Sequence, residues 1–250
     1  MMAKSALPAR NVVILIMALL IAWQILFEVA GTQAMTPPIE TFRYLAQLLA
    51  TEAFWGHLED TARAFFFALL LAVLLGLGIG FLLGAHRFSS EVFEPILVAF
   101  YSIPKITLYP IILLAFGLGL PAKIAFGTIH GVVPVALFTI VAVRNINPIL
   151  LKTARVLKLG SARLVGSVLL PAALPEIFTG VRVGFSLTLI GTLLGEMFGS
   201  QRGLGYLLMT AIGLQNIKLI MAVTLLIVLF AASVNTLLIA IGHRLHRPML

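Results

Sequence analysis

The sequence predicts an all-α integral membrane protein with six membrane-spanning helices. Three observations carry that expectation. Of 250 residues, 61% are apolar and only 10% are charged, whereas an ordinary soluble domain carries charge on about a quarter of its residues. Mean hydropathy is +1.12. The apolar residues gather into runs of bilayer length, about 20 residues being enough to cross the hydrocarbon core. Short polar segments separate the runs and hold most of the Lys and Arg. The net charge of +8 therefore reads as membrane topology, basic residues collecting in inner loops, rather than as nucleic-acid binding. There is no cysteine, which removes disulfides, thiolate metal sites and thiol nucleophiles.

Residues 1–10 form an N-terminal tail with Lys4 and Arg10 and no acid. Residues 11–30 form the first span; it has no small-residue cleavage site near its end and reads as a retained helix. Trp23 and Glu28 suit its interfacial end. Residues 31–60 change in composition. Pro37 and Pro38 start a short helix in which Ile39, Phe42, Leu45, Leu48 and Leu49 recur at helical spacing among Glu40, Arg43, Glu52, Glu59 and Asp60. This is the pattern of an amphipathic helix on the outer membrane surface, its apolar stripe packed on protein.

The second span runs from Thr61 to Gly84. Gly76, Gly78, Gly80 and Gly84 serve close helix packing rather than phosphate binding, since no P-loop lysine follows them. His86 and Arg87 return the chain to the inner side. The third span, Glu94 to Gly119, is kinked by Pro104 and Pro110 around Lys105. An ammonium at that depth faces protein or water. It either attracts an anionic substrate or has a structural partner. Pro121 and Lys123 make a short outer turn. The fourth span, Ile124 to Val143, carries His130, read as hydrogen-bonded structure rather than a proton relay.

A polar interruption, Asn147 to Glu176, then separates two apolar blocks. It carries Lys152, Arg155, Lys158 and Arg163 and no acid before Glu176. Asn147 is a good N-cap with Pro148 in the first helical position, so a short helix runs to about Leu157. Gly160 and Ser161 allow a break and a second short helix to Leu170, before Pro171 and Pro175 interrupt. Within this stretch, Ala154-Arg155-Val156-Leu157, then Leu169 to Ile177 (LLPAALPEI), then Gly180-Val181-Arg182 resemble the EAA loop of ABC importer permeases. The likeness is strongest to the nitrate, sulfonate and taurine branch and extends loosely from about Leu58 to the C-terminus. Two positions depart from that pattern: Lys152 stands where the family has an acid, and Lys158 where it has a glycine.

The resemblance implies a type I ABC importer permease fold over residues 61–243, with cytoplasmic coupling helices at about 147–176 and a cytoplasmic tail at 244–250. It implies docking of an ATP-hydrolysing subunit through Ala154, Arg155, Leu157, Gly160, Leu170 and Pro171. It further implies two ATPase subunits, a second permease copy in a homodimer, a periplasmic solute-binding protein, and residence in the bacterial inner membrane in contact with lipid. The solute would be a small anion of the nitrate, sulfonate or taurine kind.

The fifth span, Ile177 to Gly199, holds Arg182 near its inner end and Glu196 near its outer end. Glu196 matches an acidic position of the family. It either helps form an outer gate on the translocation path, with Lys105 deeper in the path, or caps a helix or forms a salt bridge. Ser200 to Asn216 is an outer turn and short helix, and Ile217 to Ile241 is the sixth span. Inner segments hold Lys4, Arg10, Arg87, Arg144, Lys152, Arg155, Lys158, Arg163, Arg244 and Arg247; outer segments hold Arg43, Arg63, Lys123, Arg202 and Lys218. The bias places both termini in the cytoplasm.

No Walker A sequence, H-E-x-x-H or G-x-S-x-G occurs, so no catalytic residue, metal site or cofactor is expected. The expectation is a chain that moves a solute and takes its energy from another subunit. The competing expectation is an ion-coupled secondary carrier or channel using Lys105, His130 and Glu196, but no inverted repeat with matched broken helices supports it.

Overall fold

The structure, a computed structural model, describes residues 9–245, and of Ala9, Leu151, Arg155, Ser161 and Ala162 the backbone alone. The tail positions Lys4 and Arg247 lie outside the described residues. The order is α1 (Ala9–Ala30), α2 (Pro38–Leu49), α3 (Glu52–Gly84), α4 (Arg87–Ser102), a 3-10 turn (Lys105–Leu108), α5 (Tyr109–Phe116), α6 (Leu120–Arg144), α7 (Pro148–Val156), α8 (Ser161–Leu164), a π turn (Val165–Leu169), α9 (Leu170–Gly199), α10 (Leu204–Gly213) and α11 (Ile217–Leu245). Among the described residues, five helices are long and apolar enough to cross a membrane, and six if α4 and α5, bent by 87° at the Pro104 break, count as one span. The break falls at Pro104, as predicted, because its ring nitrogen cannot donate into a helix ladder; Pro110, expected to break the span too, instead lies in the first turn of α5.

Several helices begin earlier than the sequence expectation: α4 at Arg87 instead of Glu94, α6 at Leu120 instead of Ile124 and α9 at Leu170 instead of Ile177. The helix that carries the second span starts before Thr61, at Glu52, and runs 33 residues. At 1.5 Å per residue that is about 50 Å, well beyond a hydrocarbon core of about 30 Å. Glu59 and Asp60 therefore mark where the helix leaves the apolar layer, not where it ends. Pro171 and Pro175 do not interrupt α9 either: Pro171 sits in its first turn and Pro175 inside it. A first-turn proline lacks only an amide that has no partner there. The preceding turn widens, Leu170 N–H reaching Val165 O, just before the residue that cannot donate.

The described chain forms two compact units. One holds the residues up to Trp55 with Leu208–Leu229. In it Pro37 caps α2 and Pro38 lies in its first turn, as the sequence predicts. The stripe read as packed is only half so: Leu45 is buried with Thr41, while Ile39 and Phe42 face outward. The hydroxyls of Thr36 and Thr41 lie 2.6 Å apart and Trp23 Nε1 donates to Thr36 O at 3.0 Å. These bonds set the helix's rotation.

The other unit, Gly56–Leu207 with the chain from Phe230, packs α3, α6 and α9 through small residues four apart, which share one helical face. On α3 these are Ala64, Ala68, Ala72, Gly76 and Gly80, on α6 Gly127, Gly131, Val135 and Thr139, on α9 Gly180, Gly184, Thr188 and Thr192. A Cβ built on Gly127 would lie 2.6 Å from Thr192 Oγ1 and 2.8 Å from Ala68 Cβ. One built on Gly76 would lie 2.6 Å from Val135 Cβ. Helix α6 is thus wedged between α3 and α9. Lipid supplies no hydrophobic drive between helices, so close backbone approach does the work of cohesion. Gly78 faces open space and takes no part.

Candidate functional site

At the C-terminal end of α6 the chain leaves the bundle through α7 and α8. Asn147 Oδ1 accepts from Ile149 N–H at 2.9 Å, the N-cap the sequence predicts. Helix α7 ends in a Schellman arrangement: Leu159 N–H reaches back to Ala154 O at 3.1 Å, and Lys158 takes the left-handed conformation at φ 47°. Such a position favours glycine, a side chain there costing roughly 1–2 kcal/mol. Lys158 therefore occupies, in conformation as well as in spacing, the position where the resembled family has glycine.

The expected docking residues separate by exposure. Leu157 is 64% exposed, and Gly160 and Leu170 also face outward. Ala154 is 3% exposed and packs inward, so it shapes the corner instead of contacting a partner. Pro171 is half-buried at the start of α9. The side chain of Arg155 lies outside the described residues. Val156, 81% exposed, and Ile149, 67% exposed, extend the apolar surface beyond the expected docking residues. Lys152, Lys158 and Arg163 surround it, all exposed. Arg144, at the last turn of α6, is tied off by Glu94.

At the opposite end of α6 and α9 lies a buried ion pair. Lys123 is in the first turn of α6, not in a loop, and is 4% exposed; Glu196 is 0% exposed. Lys123 Nζ donates to Glu196 Oε1 at 3.4 Å and to Arg202 O at 2.8 Å. Thr61 of α3 donates to Glu196 Oε2 at 2.8 Å. The start of α10 is held from three sides. Gly203 N–H donates to His57 Nδ1 at 3.2 Å, Leu204 N–H to Thr61 Oγ1 at 2.7 Å, and Gly205 N–H to Glu196 Oε2 at 3.0 Å. The first amides of a helix have no internal partners. Here side chains of α3 and α9 take them, and the carboxylate faces the positive end of the helix dipole. Of the alternatives left open for Glu196, the structure gives both capping and salt bridging.

The cluster also explains a glycine. Gly203 has φ +117°, and a Cβ on it would collide with the Glu196 carboxyl. His57 stacks on Tyr206 with ring centroids 6.0 Å apart. Tyr109 OH donates to Gly195 O at 2.7 Å, seating α5 on the same end of α9.

Lys105 is not brought to Glu196's cluster. Its Nζ donates to Tyr101 O at 3.1 Å and lies 4.8 Å from the Tyr101 ring centroid, closing the bend between α4 and α5. His130 Nδ1 pairs with Phe126 O at 2.8 Å, one turn back on its own helix. Among the described residues no three His, Asp or Glu gather to hold a metal ion.

A polytopic helical bundle with a buried ion pair at one end of α6 and α9 and a capped corner turned outward at the other is the architecture of an integral membrane subunit. The chain matches, over residues 72–249, the family described as the binding-protein-dependent transport system inner membrane component, and it belongs to that family, the permeases of ABC importers. A probable ABC transporter permease protein of Haemophilus influenzae is 35% identical over 177 residues, 71% of this chain and 72% of that protein. A putative aliphatic sulfonates transport permease protein of Bacillus subtilis is 29% identical over 201 residues, 79% of this chain and 73% of that protein. Further relatives are named as taurine, nitrate, riboflavin and formylaminopyrimidine permeases. Among solved structures, an inward-facing MetNI methionine ABC transporter is similar with a TM-score of 0.66 and 22% identity, covering 80% of this chain and 97% of that chain. At that identity the likeness speaks for the fold.

The sequence expectation places Lys123 in an outer turn and Thr61 at the start of the second span, and gives neither them nor His57 a part in a site, yet the sequence carries a signal. Lys123, Gly127 and Gly131 are four apart, as are Gly184, Thr188, Thr192 and Glu196. Both charges extend the small-residue packing faces of their helices, so each had to be buried against the other helix.

Proposed function

We propose that this chain is one half of a homodimeric permease, with two ATPase subunits docked at the α7–α8 corner and a solute-binding protein delivering substrate on the other side of the membrane. Both termini then face the cytoplasm, and the membrane is the bacterial inner membrane. The solute is a small anion of the sulfonate, taurine or nitrate kind. That choice follows the relatives' names, and the riboflavin and formylaminopyrimidine permeases among them fit a fine selectivity that lies with the binding protein.

One observation carries the docking reading: a rigidly capped corner whose apolar tip, Val156 and Leu157, projects outward within a basic surround. Apolar anchors ringed by charge are what a protein partner recognises. ATP binding closes the ATPase pair, moves the two corners, and shifts the population between inward-open and outward-open states through differential contacts. In this reading Glu196 acts by fixing the loop at the outer end, and Lys105, half-exposed at the α4–α5 bend, faces the translocation path. An ion-coupled carrier would need these charges free to titrate or to bind ions. Glu196 is matched by Lys123, and Lys105 is folded onto Tyr101.

The test is uptake into proteoliposomes holding the permease with its ATPase. Transport should require ATP and the binding protein, and survive collapse of the ion gradients. Uptake that continues without ATP and stops with an ionophore refutes the proposal.

A further inference from the structure

We propose that the partner surface meeting the α7–α8 corner is acidic, and that Lys152 and Lys158 select it. This rests on the docking reading above and adds the partner's chemistry. Between Arg144 and Glu176 the sequence holds four basic residues, Lys152, Arg155, Lys158 and Arg163, and no acid. Lys152, Lys158 and Arg163 are exposed, and none forms an ion pair or hydrogen bond with the described residues. Glu94 pairs with Arg144 and Glu91 with Arg87, and Glu176, further along on α9, makes no ion pair with any of the three.

Position 158 is the telling one. The backbone at φ 47° is where glycine would cost least, and a lysine sits there instead, beside the exposed Val156 and Leu157. Its charge stands at the tip of the corner, on the residues that would touch a partner first. Opposite charge across an interface raises the encounter rate and rejects partners of the same sign. Anionic lipid headgroups would also attract lysine. They fit less well, because α7 and α8 are separated by the left-handed turn at Lys158 and so present a corner, not one continuous apolar face, to a bilayer.

The experiment measures association of the ATPase subunit that copurifies with the full chain, rebound to the permease in nanodiscs at low and high salt. Four permeases are compared: wild type, Lys158→Gly, Lys152→Gln with Lys158→Gln, and Leu157→Asp. The double neutralisation should slow association about tenfold or more at low salt, the difference closing as salt screens the charges. Lys158→Gly, which relaxes the turn, should still lose part of the rate. That separates charge from folding. Unchanged or faster association of both lysine variants overturns the proposal. So does an effect present only in nanodiscs containing anionic lipid, which would assign the lysines to headgroups. Leu157→Asp isolates the underlying reading. If it abolishes binding while the lysine variants bind normally, docking stands and the acidic partner falls; if Leu157→Asp binds normally, docking itself falls.

Discussion

Replacing Lys123 by Met should destabilise the protein by about 3–4 kcal/mol. Removing one member of a buried ion pair strands the other charge, which typically costs about 3–5 kcal/mol. Glu196 keeps two donors, Thr61 Oγ1 at 2.8 Å and Gly205 N–H at 3.0 Å, which holds the loss near the lower end. Arg202 O loses its 2.8 Å donor, adding about 1 kcal/mol. A loss of 3 kcal/mol is about 150-fold in the unfolding equilibrium, each 1.4 kcal/mol being tenfold. The assay is denaturant unfolding of the purified protein in micelles, followed by circular dichroism. Adding Glu196→Gln to Lys123→Met should recover part of the loss, because the stranded charge is gone. The double-mutant cycle should then show a coupling of about 2 kcal/mol. Single losses that simply add, or a Lys123→Met cost below about 1 kcal/mol, refute the claim that the two charges are enclosed together.

Gly203→Ala should lower the thermal midpoint by the equivalent of about 2 kcal/mol or more, since a Cβ there meets the Glu196 carboxyl and the φ of +117° is unfavourable to any side chain; a midpoint equal to wild type would contradict the packing. Thr61→Val should cost about 1–3 kcal/mol, removing Glu196's donor and orphaning Leu204 N–H, while Thr61→Ser stays near wild type in the same unfolding assay.

The apolar runs made the helical, polytopic architecture legible, because a bilayer demands long uninterrupted hydrophobic stretches and tolerates little else. Asn147 and Pro148 announced α7, and the break at Pro104 announced the α4–α5 bend, each through local chemistry that acts wherever those residues stand. Composition misled where it was read as a boundary. Glu59 and Asp60 looked like the end of a segment but lie on a helix that continues past them, and Pro171 looked like a stop but falls in a first turn, where a helix tolerates it, while α9 runs on through Pro175. The Lys123–Glu196 pair was hidden for a different reason. Its partners are 73 residues apart, and only the four-residue spacing of small side chains on both helices places them face to face. Docking residues were visible as a stretch but not one by one: Ala154 turns inward and Val156 outward because of where the α7 cap directs the chain, which no single residue type reveals.

The central claim is that the α7–α8 corner touches the ATP-hydrolysing partner. The chain contains no cysteine, so Leu157→Cys introduces a single reactive thiol at the tip, and Leu118→Cys, exposed at the other end of α6, is its control. With a short thiol-to-amine cross-linker in the intact complex, the thiol at 157 should join to the ATPase subunit in a way that changes when ATP is bound, and the thiol at 118 should not. Cross-linking from 118 and none from 157 would contradict the account.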